Sequence, residues 1–355
     1  MLDWLRRRRA PAAVPIDAAL WRRSTSAWLF MRGLPAADGE RLRALCERFL
    51  AIKRFSGAHG LEVSERMRVE IAAQACILVL ELGIEWYAGW SDVIVYPSQF
   101  MPEREVTDEA GVVHLTRDAM AGEAWLGGPV ILSYEDVALS GDAHARVAGY
   151  NVVIHEFAHK LDMRNGDPNG FPPLHRGMDA REWKRAFSAA FADFVGRVEA
   201  AERLSGRRAQ AALDALPIDP YAAESAGEFF AVASEAFFET PELLAPAYPE
   251  IYAQLRLFYR QDPGARLALD VVLLHVLLQP AVVLPRRLVV AFAVGFARAA
   301  ARLLLLLAAL RLLRGLALAV AALIGGSVHC CFLSGVVWIG STLPDFCGVV
   351  GETVE

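Results

Sequence analysis

The sequence predicts an α+β fold, mainly helical, with a small β-sheet beside one helix suited to hold a metal ion. Three observations lead there. Apolar residues recur at helical spacing through much of the first 260 residues, as in Leu42, Leu45, Cys46, Phe49 and Leu50. Short runs rich in β-branched residues interrupt them, such as Asp92-Val93-Ile94-Val95-Tyr96. Between these lies His155-Glu156-Phe157-Ala158-His159. Positions four apart share a helix face, so the two imidazoles can meet at one ion while Glu156 reaches a water beside it. The opposite face carries Val152, Val153, Phe157 and Leu161, as a buried helix requires.

Taken in order, residues 1–20 read as a flexible basic lead with four Arg at 6–9. No apolar stretch of the kind a secretory signal needs follows them, so the start reads as cytoplasmic. Helices are expected at 38–55 and 64–82, the second stopped by Gly83. Strands are expected at 92–96, 112–115 and 129–133. The last is a candidate edge strand for pairing with extended peptide, or else an ordinary inner strand. Residues 163–178, rich in Gly, Pro, Asn and Asp, read as a loop. Further helices are expected at 181–204 and 225–239, and residues 247–259 close the globular part.

Catalytic zinc takes three protein ligands and keeps one position open. A third His along the same stretch fails, because Asp162 and Asn165 stand where H-E-x-x-H-x-x-G-x-x-H needs Gly and His. A carboxylate on a later helix is the alternative. Glu228 and Glu235, seven apart among Phe229, Phe230 and Phe237, are the candidates. Ser225-x-x-Glu228 also matches a capping box, which leaves ligand and cap both open for Glu228. Glu235 would ligate, or hydrogen-bond a ligand His from behind. Glu224 reads as more exposed. Asp162 would accept from a ligand imidazole, fix a neighbouring loop, or face solvent.

These residues resemble the Mlc titration factor A family of zinc peptidases. The likeness rests on 149–166 (Gly149-Tyr150-Asn151 through the His155 motif to Asn165-Gly166), Val95-Tyr96-Pro97, Gly128-Pro129-Val130-Ile131-Leu132-Ser133, Glu228-Phe229-Phe230-Ala231-Val232 and Phe258-Tyr259-Arg260-Gln261-Asp262-Pro263. It spans residues 20–268. The resemblance implies a zincin-like, gluzincin metallopeptidase of aminopeptidase type, acting on peptides, located in the cytoplasm and binding the Mlc transcriptional repressor. It also implies that His155, His159 and Glu228 hold Zn2+ and that Glu156 is the catalytic base. A more distant likeness runs to the catalytic domain of the toxin protease lethal factor. There a Tyr seven residues before the ligand Glu helps stabilise the tetrahedral intermediate; Tyr221 stands seven before Glu228.

Charge and cysteine usage narrow the remaining classes. The net charge is −5, which argues against direct nucleic-acid binding. The five Cys form no C-x-x-C pair, so neither a disulfide scaffold nor a thiolate zinc site is expected, and a reducing compartment fits. The organisation expected is a lead (1–20), a metallopeptidase domain (21–268) and an apolar extension (269–355). That extension lacks Lys and is dominated by Leu, Val and Ala. Residues 315–340 are long enough to cross a bilayer, which needs about 20 residues. A membrane anchor on the inner face, an aberrant extension from out-of-frame translation, and a partner-binding helix pair are the competing accounts. The competing function for the whole is a non-catalytic regulator that sequesters a transcriptional repressor, for which Glu156 would be superfluous.

Overall fold

A computed structural model describes residues 11–101, 103–107, 113–117, 120–140, 149–268, 332–333 and 336–337. The chain divides into two units, Met1–Leu277 and Leu278–Glu355. In the second, the described residues are an antiparallel pair, β7 (Phe332–Leu333) and β8 (Val336–Val337). Within the expected span at 315–340 the described residues, Phe332–Leu333 and Val336–Val337, are strand and not helix; the rest of that span, and with it the competing accounts, lies outside the described residues. No helix among the described residues is long and apolar enough to cross a membrane.

The first unit opens with α1 (Ala18–Thr25) and α2 (Ala36–Ile52), followed by β1 (Arg54–Gly57) and α3 (Glu65–Leu78). Next come β2 (Asp92–Tyr96), the hairpin β3 (Glu103–Thr107) and β4 (Val113–Arg117), then β5 (Gly122–Ala124), β6 (Val130–Ser133) and α4 (Tyr134–Leu139). The second half is helical: α5 (Val152–Asp162), α6 (Ala180–Glu202), α7 (Arg207–Asp214), α8 (Ala226–Glu239), α9 (Pro241–Ala247) and α10 (Pro249–Tyr259). The α+β expectation therefore holds, with helices in the majority and one four-stranded mixed sheet.

That sheet runs in the order β1-β2-β6-β5. β1, β2 and β6 are parallel, in the register Arg54↔Asp92 and Val93↔Val130, and β5 runs antiparallel to β6 with Glu123 opposite Ile131. All four residues of β6 are buried, as an inner strand covered on both faces demands. Of the two readings open for 129–133, the inner strand is the one found: β6 lies between β2 and β5, and β5 is the edge.

Other expectations shift for identifiable reasons. Residues 53–55, expected to finish a helix, leave it at Lys53, whose φ and ψ are extended, and β1 follows at once. Residues 249–259 form one helix, separated from α9 at Tyr248 ahead of Pro249. α3 ends at Leu78, and Gly83 has φ +92°, a conformation that favours glycine.

The core joins the sheet to α5 and α8. Phe157 of α5 is fully buried, its ring centroid 5.7 Å from Phe49, 5.1 Å from Tyr87 and 5.6 Å from Trp90. On the other side Trp183 of α6 stacks on Phe187 at 4.2 Å and meets Phe230 of α8 at 6.1 Å. Such aromatic pairs add about 0.5–1.5 kcal/mol each beyond their buried area. This packing holds α5 and α8 side by side, with their polar residues meeting across one cleft.

Candidate metal centre

α5 begins where Asn151 Oδ1 accepts the Ile154 N–H at 2.9 Å. One turn on, His155 and His159 stand on the same face, their rings 4.8 Å apart and nearly perpendicular at 80°. α8 starts at Ser225, whose hydroxyl accepts the Glu228 N–H at 3.1 Å. Its partner in the expected capping box does not reach back. The Glu228 carboxylate turns to the imidazoles instead, with Oε2 2.9 Å from His155 Nε2 and 3.2 Å from His159 Nε2. The two Nε2 atoms are 3.2 Å apart.

The donor set fits a metal ion. Ligand atoms about 2.0–2.1 Å from a tetrahedral ion sit about 3.3 Å from one another, near the separations of these three atoms. His155, His159 and Glu228 are the group among the described residues with ligand-atom geometry for a cation. The three groups also bias one another's protonation. Burial would lower the His155 pKa, but Glu228 and Glu235 outweigh it and hold the imidazole well above its ordinary value. Burial would raise Glu228, but the two imidazoles hold it well below the usual carboxylate range. A cation would take the place of those protons.

Glu156, the next residue along α5, lies buried against β5. A Cβ added at Gly122 would sit 2.6 Å from Glu156 Oε1 and 2.7 Å from its Cγ. Burial, ahead of the opposing pull of His155 and His159, pushes the Glu156 carboxyl up to about 7. Tyr221, half exposed, stands at the mouth with its ring 6.0 Å from that of His155. Together these residues line a cleft of about 390 Å3 that also takes in Tyr150, Asp219 and Glu235.

The structure separates the remaining candidates. Glu235 is not in the ligand triangle. Its Oε1 lies 2.8 Å from His155 Nδ1 and its Oε2 accepts the Asn151 N–H. Burial raises its carboxyl, against the pull of those two partners. Asp162 fixes a loop, as one reading expected, with Oδ2 accepting the N–H groups of Asn169 and Gly170 at 2.8 and 2.7 Å. Glu224 is exposed, and Asn165 donates to Phe171 O at 2.9 Å.

Two contributors escaped the sequence. Gly122 leaves the room that Glu156 occupies, and a lone Gly in a strand is the signal for such close approach. Lys160, next to His159, donates from Nζ to Trp125 O at 2.6 Å and Gly128 O at 2.8 Å. It thereby ties the β5–β6 turn to the helix that carries the imidazoles. A buried Lys bonded to two carbonyls has no local sequence signature.

A family model described as glucose-regulated metallo-peptidase M90 matches residues 2–260. Mlc titration factor A of Salmonella gallinarum (strain 287/91 / NCTC 13346) is 41% identical over 234 residues, covering 66% of this chain and 83% of that protein. The protein of the same name from Salmonella arizonae is 40% identical over 234 residues, covering 66% and 88%. That of Salmonella schwarzengrund is 40% identical over 237 residues, covering 67% and 84%.

Proposed function

Because the chain belongs to the glucose-regulated metallo-peptidase M90 family, we propose that it is a zinc-dependent peptidase of zincin-like, gluzincin type. His155, His159 and Glu228 are its metal ligands, Glu156 its catalytic base and Tyr221 its oxyanion donor. The observation that carries this reading is the convergence of two Nε2 atoms and one carboxylate oxygen, with a second carboxylate one residue along the same helix.

A zinc ion bound there supplies Lewis acidity, which acidifies water and polarises a carbonyl. Glu156 takes the proton of the attacking water and passes it to the leaving amine, so one residue serves as base and then acid. Tyr221, at the mouth of the cleft, directs its O–H to the oxygen on which charge develops. Gly122 and Ala124 of the edge strand β5 give extended peptide a backbone to lie against, which fits a peptide substrate. Aminopeptidase-type action on short peptides in the cytoplasm completes the reading, with the activity confined to residues 21–268.

The name of the relatives favours a second reading, in which the chain binds the Mlc repressor and hydrolysis is incidental. One experiment separates the two. The zinc-loaded chain and its Glu156→Gln variant are given a panel of aminoacyl anilides. Turnover by the first and none by the second supports the peptidase. Equal turnover refutes Glu156 as base. No turnover by either, with capture of the repressor intact, supports the regulator.

A further inference from the structure

We propose that Glu235 is the positioning residue of this centre: its carboxylate joins the back of the His155 ring to the first turn of α5, and so aims both imidazoles. This rests on the reading of His155, His159 and Glu228 as metal ligands.

α8 carries Glu228, Glu235 and Glu239 at spacings of seven and four, which keeps all three on one face. That face meets α5. Glu228 faces both Nε2 atoms. Glu235 bridges His155 Nδ1 and the Asn151 N–H. Glu239 Oε1 accepts from Asn151 Nδ2 at 2.7 Å. Glu235 and Glu239 are buried, at 3% and 1% exposed. Buried carboxylates are costly unless donors meet them; Glu235 has a donor on each oxygen, whereas Glu239 has one on Oε1 and its Oε2 is buried without a partner.

The chemistry at Glu235 is specific. An imidazole that gives its Nε2 lone pair to an ion keeps its proton on Nδ1, and a carboxylate accepts it. The same carboxylate accepts a backbone N–H from Asn151, the residue whose side chain caps α5. Ring orientation and helix origin are therefore referred to one group. His159 has no equivalent, since its Nδ1 is buried without a hydrogen-bond partner. Its aim depends on the helix, and the helix starts at Asn151. Glu235 alone among these residues holds both. Two acceptor atoms are needed for two donors. Glutamine, with one carbonyl oxygen, satisfies only one of them.

The test compares the full-length chain with its Glu235→Gln and Glu239→Gln variants. Zinc affinity is read by competition with a chromophoric chelator, and the His155 Nδ1–H resonance by 15N-edited NMR of the zinc-loaded protein. Glu235→Gln is expected to weaken zinc by about 10- to 100-fold and to shift or remove that resonance. Glu239→Gln, which never touches the ring, should change affinity by less than about threefold. Should Glu235→Gln lose its far-UV circular dichroism, Glu235→Asp, one methylene too short to span both donors, carries the same comparison. A wild-type chain that binds no zinc overturns the ligand reading itself. A wild-type chain that binds zinc, with Glu235→Gln equally tight and its resonance unmoved, overturns the positioning role alone. An equal loss in both variants also overturns it, because the effect would then belong to general packing.

Discussion

Replacing Gly122 by Ala tests how closely the edge strand is fitted to Glu156. The new Cβ would lie 2.6 Å from Oε1 and 2.7 Å from Cγ of Glu156, and 2.8 Å from Val152 Cγ2. Ordinary carbon contacts begin near about 3.5 Å, so strand and side chain must part by about 1 Å. Overpacking of this size costs about 1–3 kcal/mol of stability. A displacement of about 1 Å in a catalytic group costs about 100-fold in rate. None of the three nearest atoms belongs to His155, His159 or Glu228, so zinc binding is expected to survive. The assay is kcat on an aminoacyl anilide, with zinc content measured on the same sample. A zinc-loaded Gly122→Ala chain that keeps kcat within about threefold of wild type would refute the fit between β5 and the base.

Three further outcomes are expected. Lys160→Met leaves the Trp125 and Gly128 carbonyls without their buried donor, and should cost about 2–4 kcal/mol by denaturant melt; a loss under about 0.5 kcal/mol would show that the turn is held otherwise. Burial, opposed by Asn151 and reinforced by Glu235, pushes the Glu239 carboxyl up to about 7. Its folded pKa then exceeds its unfolded value of about 4.3, so the folded state binds the extra proton between those values and stability falls as pH rises through the window. Glu239→Gln should flatten that slope by up to about 3 kcal/mol in melts between pH 4.5 and 7.5, and an unchanged slope would count against the buried acid. Zinc at about 100 times its Kd should stabilise the chain by about 2.7 kcal/mol, reversed by chelation, whereas a His155→Ala chain should show no such gain.

What the sequence disclosed, and what it withheld, follows from how far apart the cooperating residues lie. His155, Glu156 and His159 were legible because one helix turn sets their geometry locally. Glu228 was legible only as a pair of alternatives. Its backbone N–H does meet Ser225, while its carboxylate serves residues 73 positions away in the chain. No periodicity reports a contact at that distance. Glu235 was recognised as a candidate for the same reason and left undecided between ligand and support. β1 and β5 were missed because strands of four and three residues show no alternation to read, and parallel partners such as Asp92 for Arg54 are set by the tertiary fold. For the same reason 129–133 stayed open between edge and inner strand, since with β5 unseen nothing in the sequence marks the far side of β6.

The route between β2 and β5 gives this architecture a particular freedom. After Tyr96 the chain leaves the sheet, forms the β3–β4 hairpin, and rejoins it at Ala121, whose carbonyl accepts the Ser133 N–H at 2.7 Å, running in reverse. The residues that form the metal face, from Asn151 to Glu239, come later in sequence. Gln99, Met120 and Ala121, at the two ends of the detour, line the same cleft, so the detour bears on what enters it. On the proposed peptidase reading, a lineage could retune which peptides are admitted by rewriting this detour while leaving His155, Glu156, His159 and Glu228 in place.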